Sequence, residues 1–350
     1  MRKVSKCLLL CAAAGLAMSS AAMAQPVETN LIANPGFESV DTNTSGPFTS
    51  VLLLDWIDVS GDGDDLFAYP YTSLYSGSPQ PPDSGDYHYS GGFNTSAEEL
   101  LIFQTIDVSG GPAGTLIQSN AAFFNLSAYF STYFTQDDAN FVRVFFLDSM
   151  GDDITPGDLR IGGGAFLDSL PITDGRRDWG QDTLGGPIPA ATRSILVAIG
   201  ASDADTNHDG YVDNVDFRVT ATNPAPAAFV IQSPSAGQFF DSTTFTVNWA
   251  DAFNATTYSI VVSPNADLSS PVFTQTGLTE SERAFTGQIG TGIYYVQVTA
   301  VNSGGSTVSS NGPIRFAVVA GTNCPADFNN SGGVTAQDIF DFLAAYFAGC

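Results

Sequence analysis

The sequence predicts an all-β chain: a jelly-roll sandwich, then an immunoglobulin-like sandwich, then a small stapled loop and helix at the C-terminus. Three observations lead there. Short runs rich in Val, Ile, Thr, Tyr and Phe, each bounded by Gly, Asp, Asn or Pro, recur along the 350 residues without helical crossovers between them. Glycine is abundant, at 35 residues, and lysine is missing beyond Lys6. A stretch with two prolines interrupts the strand pattern and divides the runs into two groups.

The first residues have a basic end, an apolar middle and Ala-Met-Ala before Gln25, the pattern of a secretory signal peptide over 1–24. Export to a secreted or cell-surface location is the expectation. Loss of this leader removes Arg2, Lys3 and Lys6. That leaves 8 basic residues, all arginine, against 36 acidic ones, so 8 minus 36 gives a formal charge of −28. Such a surface repels phosphate backbones, which excludes nucleic acid as a partner and suits calcium or neutral polymers such as glycans.

The first unit spans 28–221. Its runs include LLIFQTIDVS, FNLSAYFSTYF, NFVRVFFLD, RSILVAIG and YVDNVDFRVT. Within FVRVFFLD, Val142, Val144 and Phe146 make one fully apolar face, whereas Phe141, Arg143 and Phe145 make a mixed one, as in a sandwich strand with one exposed face. Pro224 and Pro226 cannot donate to a sheet and stiffen 222–227 into a linker. The second unit, 228–320, carries TTFTVNWA, TYSIVVSP, RAFTGQI, GIYYVQVTAVN and IRFAVVA, with Trp249 in an early strand and Tyr294-Tyr295 in a late one. That spacing predicts an immunoglobulin-like sandwich.

The tail, 323–350, places oxygen-bearing residues at the first, third and fifth positions of a loop, Asp327, Asn329 and Ser331. Gly332 stands sixth, the carbonyl of Gly333 seventh, Thr335 ninth and Asp338 twelfth. Calcium takes six to eight oxygens, and this spacing delivers them; a hydrogen-bonded turn without metal is the competing reading. Ile339, Phe342, Leu343, Tyr346 and Phe347 then recur at helical spacing as one apolar stripe. Cys324 and Cys350 flank the element and are expected to pair in an exported protein. A second stretch, DTNHDGYVDNVD, places Asp205, Asn207, Asp209, Gly210, Asp213 and Asp216 at the same loop positions. Because YVDNVDFRVT alternates as a strand, a β-turn at His208 to Gly210 is favoured there over a calcium loop.

Several of these segments resemble known families. NLIANPGFES (Asn30 to Ser39), Gln104 in FQTIDVS, the run ending in FLDSMG, PAATRSILVAI and GYVDNVDF together resemble the galactose-binding-like jelly rolls of carbohydrate-binding modules. The resemblance implies a structural calcium where the first and last strands meet, with Glu38 and Asp213 or Asp216 as ligands. TVNWADAFNATTYSIVV and GIYYVQVTAVNSGG resemble fibronectin type III domains, which implies a spacer. The tail, opening Cys-Pro-Ala-Asp, resembles a single-loop dockerin-type calcium repeat of exported planctomycete-type proteins. That implies a cohesin-like partner, or a cell-surface or sorting role.

Exposed rings stack on sugar faces and polar groups orient hydroxyls, so Tyr69, Tyr71, Tyr75, Tyr87 and Tyr89 are the candidate glycan contacts, with Trp56 and Trp179 near them in sequence. Trp56, following LLLD, reads as core. Catalysis is not expected: His88 and His208 are the only histidines, and neither HExxH nor GxSxG is present. The sequence therefore reads as an exported, non-catalytic, calcium-stabilised binding protein for carbohydrate. The alternative is a structural or adhesive surface protein that self-associates, and a polysaccharide hydrolase ranks behind both.

Overall fold

The computed structural model describes residues 27–45, 50–59, 65–73, 80–90, 99–202, 209–319 and 336–347. It divides into two compact units, Met1–Pro224 and Ala225–Cys350. Both are built of β-sheets, and a short helix stands near the end of the chain.

The strands of the first unit are β1 (Val40–Ser45), β2 (Val51–Leu53), β3 (Ile57–Asp58), β4 (Phe67–Pro70), β5 (Tyr87–Ser90), β6 (Glu99–Asp107), β7 (Phe123–Thr132), β8 (Ala139–Leu147), β9 (Arg160–Gly162), β10 (Ile172–Thr173), β11 (Arg176–Arg177), β12 (Gly180–Pro187), β13 (Ser194–Ser202) and β14 (Gly210–Thr220). They form a seven-stranded sheet in the order β1-β2-β4-β5-β14-β7-β12, a five-stranded sheet β3-β6-β13-β8-β9 and a small β10-β11 hairpin. Helices α1 (Gly111–Gln118) and α2 (Gly164–Ser169) fill connections. The two large sheets meet face to face. Phe124 of β7 packs edge-on against Phe146 of β8 at 5.5 Å, and a Cβ added to Gly162 of β9 would lie 2.6 Å from the Phe130 ring of β7.

The segment NLIANPGFES runs beside β14 but is not a regular strand. Leu31 N–H donates to Phe217 O (2.8 Å) and Val215 N–H to Pro35 O (2.9 Å). The ladder breaks because Pro35 has no N–H and both Asn34 and Phe37 adopt positive φ, 49° and 62°. Gln104 fastens the segment from the other side, accepting from Ala33 N–H (3.0 Å) and donating to its carbonyl (2.6 Å).

β8 departs from the expectation of one exposed face. Phe141 and Phe145, on its mixed side, are as buried as Val142 and Val144 opposite. The reason is a second apolar layer: Phe103, Phe145, Leu147, Leu196 and Ala198 cluster with Val59 and Leu100. The Arg143 guanidinium lies 5.0 Å over the Phe145 ring and pairs with Asp158 at 3.0 Å, so its stem covers apolar surface while its charge is met.

The second unit comprises β15 (Ile231–Ser233), β16 (Phe239–Phe240), β17 (Thr244–Trp249), β18 (Thr257–Ser263), β19 (Phe273–Leu278), β20 (Glu282–Thr286), β21 (Gly292–Asn302), β22 (Gly305–Val308) and β23 (Ile314–Val318). Sheets β15-β17-β20 and β16-β23-β21-β18-β19, the latter extended by β22 on β21, enclose one core. Phe245, Val247, Trp249 and Phe285 of the first sheet meet Ile260, Val262, Val296, Val298 and Phe316 of the second, following the period-two alternation of TFTVNW and YVQVTAV.

Helix α3 (Ala336–Phe347) carries the apolar stripe read from the sequence, and Ile339, Phe342, Leu343, Tyr346 and Phe347 are all exposed. Asp338 is buried. Asp327, Asn329, Ser331, Gly333, Cys324 and Cys350 lie outside the described residues. No described helix is long and apolar enough to cross a membrane.

Candidate functional site

Alternation along the seven-stranded sheet builds the site. Ala68 stands opposite Tyr89, and Tyr89 opposite Val212, on the face that sinks into the core. The other face therefore receives Tyr69 opposite His88, Tyr211 opposite Ser131, and Asp213 opposite Tyr129. Trp179, just ahead of β12, stacks on Tyr211 with ring centroids 6.0 Å apart and planes 22° from parallel. Tyr71 leaves the end of β4 in a 3-10 turn, Tyr71–Ser73, and its ring sits 4.8 Å from His88 and 6.0 Å from Trp179. His88 is thus enclosed, with Tyr211 at 4.8 Å, Trp179 at 6.1 Å and Tyr69 at 6.3 Å. Tyr69, Tyr129 and Trp179 are half-buried and form the accessible part of this face; Tyr71, His88 and Tyr211 are its floor.

The floor is polar as well as aromatic. Tyr71 Oη donates to Asp213 Oδ2 at 2.6 Å, and the Asn214 N–H donates to Asp213 Oδ1 at 2.7 Å. Burial pushes the Asp213 carboxyl up to about 8, against the pull of those two hydrogen bonds and with a further push from Glu38. Burial likewise raises the Tyr69 phenol to about 12, and it raises Tyr71 together with the charge of Asp213. His88, with no exposed surface, is held by burial at about 3 and stays a neutral imidazole.

Beside this floor lies a pair of acidic side chains. Glu38 accepts the N–H of Asp86 (3.0 Å) and of Tyr87 (2.8 Å). Gly85 permits that approach: at φ +64° it also leaves room where a Cβ would meet the Glu38 carboxylate at 2.5 Å. A Cβ on Gly36 would lie 3.2 Å from Asn214 Oδ1, 3.7 Å from Asp213 Oδ1 and 3.9 Å from Glu38 Cγ, so these three side chains converge around one backbone position. The convergence depends on the bulge that breaks the β14–β7 register between Asp213 and Asp216, where Asn214 takes φ 51°. Asp216 does not join: Arg218 holds it, with Nη2 at 2.6 Å and Nε at 2.7 Å. Among the described residues no group of three or more His, Cys, Asp or Glu comes together.

The five candidate tyrosines therefore part company. Tyr69 and Tyr87 are half-buried; Tyr71 is 6% exposed and Tyr89 0%. Tyr89 is corrected to a core residue, its ring 5.6 Å from Phe37, because the even alternation of YHYS turns it inward as it turns His88 outward. Tyr71 is corrected from a loop-surface ring to a floor residue, since AYPYT is a strand and a tight turn rather than a loop. Tyr75 lies outside the described residues, as do Asp205, Asn207 and His208. The residues missed by sequence reading, His88, Tyr129 and Tyr211, sit on alternate positions of runs already recognised as strands. Trp56 is buried against Phe37, as its place after an apolar run suggests.

No family model matches the chain, and no curated protein matches it. Among solved structures it is similar to the enzymatically active domain of bacteriophage CBA120 tailspike protein 4, at 14% identity and TM-score 0.28, over 41% of this chain and 17% of that one. It is also similar to the arabinose-bound α-L-arabinofuranosidase MgGH51, at 11% identity and TM-score 0.32, over 55% of this chain and 27% of that one. A third is the CBM22-1 xylan-binding domain from Paenibacillus barcinonensis Xyn10C, at 12% identity and TM-score 0.25, over 41% of this chain and 78% of that one. The matched part thus spans well under half the length of the tailspike and arabinofuranosidase chains.

Proposed function

We propose that this chain is an exported, non-catalytic carbohydrate-binding protein whose first unit binds a neutral glycan on the outer face of its seven-stranded sheet. One observation carries the reading: the rings of Tyr69, Tyr71, Trp179 and Tyr211, brought in by different strands and turns, gather around His88 with centroids 4.8–6.3 Å from it, beside a buried carboxylate. Flat rings offer an apolar surface to the C–H face of a pyranose, while phenol, imidazole and carboxylate orient hydroxyls. The formal charge of −25 disfavours anionic polymers.

Glu38, Asp213 and the Asn214 amide oxygen fit a hard cation such as calcium. Two carboxylates close enough to repel, one of them buried, leave an uncompensated cost that a divalent ion would remove. In this reading the second unit is a fibronectin type III-like spacer, and the tail, through Asp327, Asn329, Ser331, Gly333 and Asp338 with a Cys324–Cys350 staple, is a calcium-loop module for attachment or sorting.

The test is isothermal titration of the full chain with cellohexaose, xylohexaose and mannohexaose in calcium, beside Trp179→Ala. Binding by the parent chain, weakened at least about tenfold in the variant at unchanged melting temperature, is expected from loss of one stacking ring. No binding to any of the three, with mass rising with concentration in ultracentrifugation, would replace the glycan reading with self-association.

A further inference from the structure

His88 is the least explicable residue of the site if the site is only packing. It has no exposed surface, and among the described residues neither Nδ1 nor Nε2 has a hydrogen-bond partner. A buried imidazole keeps one donor and one acceptor, and native proteins rarely leave both unmatched. Phenylalanine would fill the same space without that cost, and this chain uses it freely, with 26 phenylalanines against 2 histidines. The ordinary explanation, a neighbouring polar chain, finds no such partner among the described residues. Rings surround it: Tyr71 and Tyr211 at 4.8 Å, Trp179 at 6.1 Å, Tyr69 at 6.3 Å. Asp213, a strong acceptor on this floor, is already engaged by Tyr71 and by the Asn214 N–H.

We propose that His88 is the specificity-determining residue of the glycan site: its ring nitrogens take up a pair of neighbouring hydroxyls on an uncharged sugar once the Trp179 or Tyr71 ring moves aside. This rests on the carbohydrate reading above and adds to it the chemistry of recognition. A neutral imidazole presents one N–H and one bare nitrogen, and adjacent hydroxyls supply the matching acceptor and donor. Burial keeps the ring neutral, so the donor–acceptor pair persists at ordinary pH. The unmatched nitrogens then act as the discriminating element. A ligand without hydroxyls at that place leaves them unpaired, and a site built to hydrogen-bond rejects such a ligand strongly. Trp179, half-buried and stacked on Tyr211, is the outer covering ring; Tyr71, tied to Asp213, is the inner one.

The experiment uses the full chain and its His88→Phe, His88→Gln and Trp179→Ala variants. Each is titrated with the three hexaoses, melted without ligand, and followed by nitrogen NMR of the imidazole. The expected result is a split. His88→Phe melts at or above the parent temperature, because two unmatched buried atoms are gone, yet binds the preferred hexaose at least about tenfold more weakly, the weight of one hydrogen bond. His88→Gln, which retains a donor and an acceptor, keeps more of the affinity, and the His88 nitrogens shift on sugar addition. If His88→Phe binds as the parent does while Trp179→Ala loses affinity, the glycan reading stands and this assignment of His88 is wrong. If the parent binds none of the hexaoses, both fall. If His88→Phe melts well below the parent and the parent's His88 nitrogens do not shift on sugar addition, the imidazole is a packing residue and the assignment is overturned.

Discussion

Each unit holds a tight cluster of rings, and by distance alone they are alike. In the second unit Phe240 and Phe245 lie 4.4 Å apart, Phe273 and Phe285 4.8 Å, and Phe245 and Phe285 5.0 Å. In the first, Tyr71–His88 and His88–Tyr211 are each 4.8 Å and Trp179–Tyr211 is 6.0 Å. The difference lies in what the rings carry. The second cluster is all hydrocarbon and sits between two sheets as part of one core. The first stands on the face turned away from its own core and mixes phenols, an indole and an imidazole with a buried carboxylate. Burying hydrocarbon rings contributes stability, whereas burying rings that carry polar groups offsets part of that gain.

The largest expected effect breaks the comparison on the hydrocarbon side. Phe285 is fully buried among Phe245 and Phe273, with the Arg283 guanidinium 5.3 Å over its ring. Phe285→Ala should cost about 3–5 kcal/mol, the usual range for a truncated core aromatic. Denaturant unfolding of the full chain measures it. Hexaose affinity should be untouched, and a matching loss of affinity would show that the two clusters are not separate in role.

A smaller effect sharpens the polar side. Calcium should stabilise the first unit through Glu38 and Asp213, by about 2.7 kcal/mol at a free concentration of one hundred times the dissociation constant. Melting with and without chelator, in an Asp327→Ala background that silences the tail, reads this out, and Asp213→Asn should remove the difference. The hydrocarbon cluster has no group through which an ion could act, so the Phe285→Ala variant should retain the whole calcium response.

The same contrast sets how much was legible beforehand. Strand periodicity located both sandwiches, because FNLSAYFST and TFTVNW alternate as their burial requires. It did not show which tyrosines line the outer face of the sheet. YHYS reads equally well in either orientation, and only its pairing with β4 and β14 turns Tyr89 inward and His88 outward. The family resemblance named Glu38 with Asp213 or Asp216 and could not separate the two aspartates, which the bulge at Asn214 sends in different directions. The second apolar layer on β8 was hidden for a related reason. It is assembled from β6, β8 and β13, and no single run reveals what its neighbours contribute.

The smallest expected effect is the most diagnostic. His88 is held near 3 by burial, against 6.5 for the free side chain. A base whose folded value is depressed contributes stability that is present above 6.5 and drains away as pH falls toward 3, because the unfolded chain takes up the proton first. The slope in that window approaches about 1.4 kcal/mol per pH unit. Going from pH 6 to pH 5, the parent chain should lose roughly 1 kcal/mol more than His88→Phe, in which nothing titrates at this place. Urea unfolding of both proteins at the two pH values isolates the term, since the carboxylates are common to both. Equal losses would mean that the imidazole can be protonated without penalty, so that it already has an acceptor within reach and is no longer free to read a hydroxyl. A larger loss in the parent would leave the ring neutral and unmatched, the condition on which its role in recognition depends.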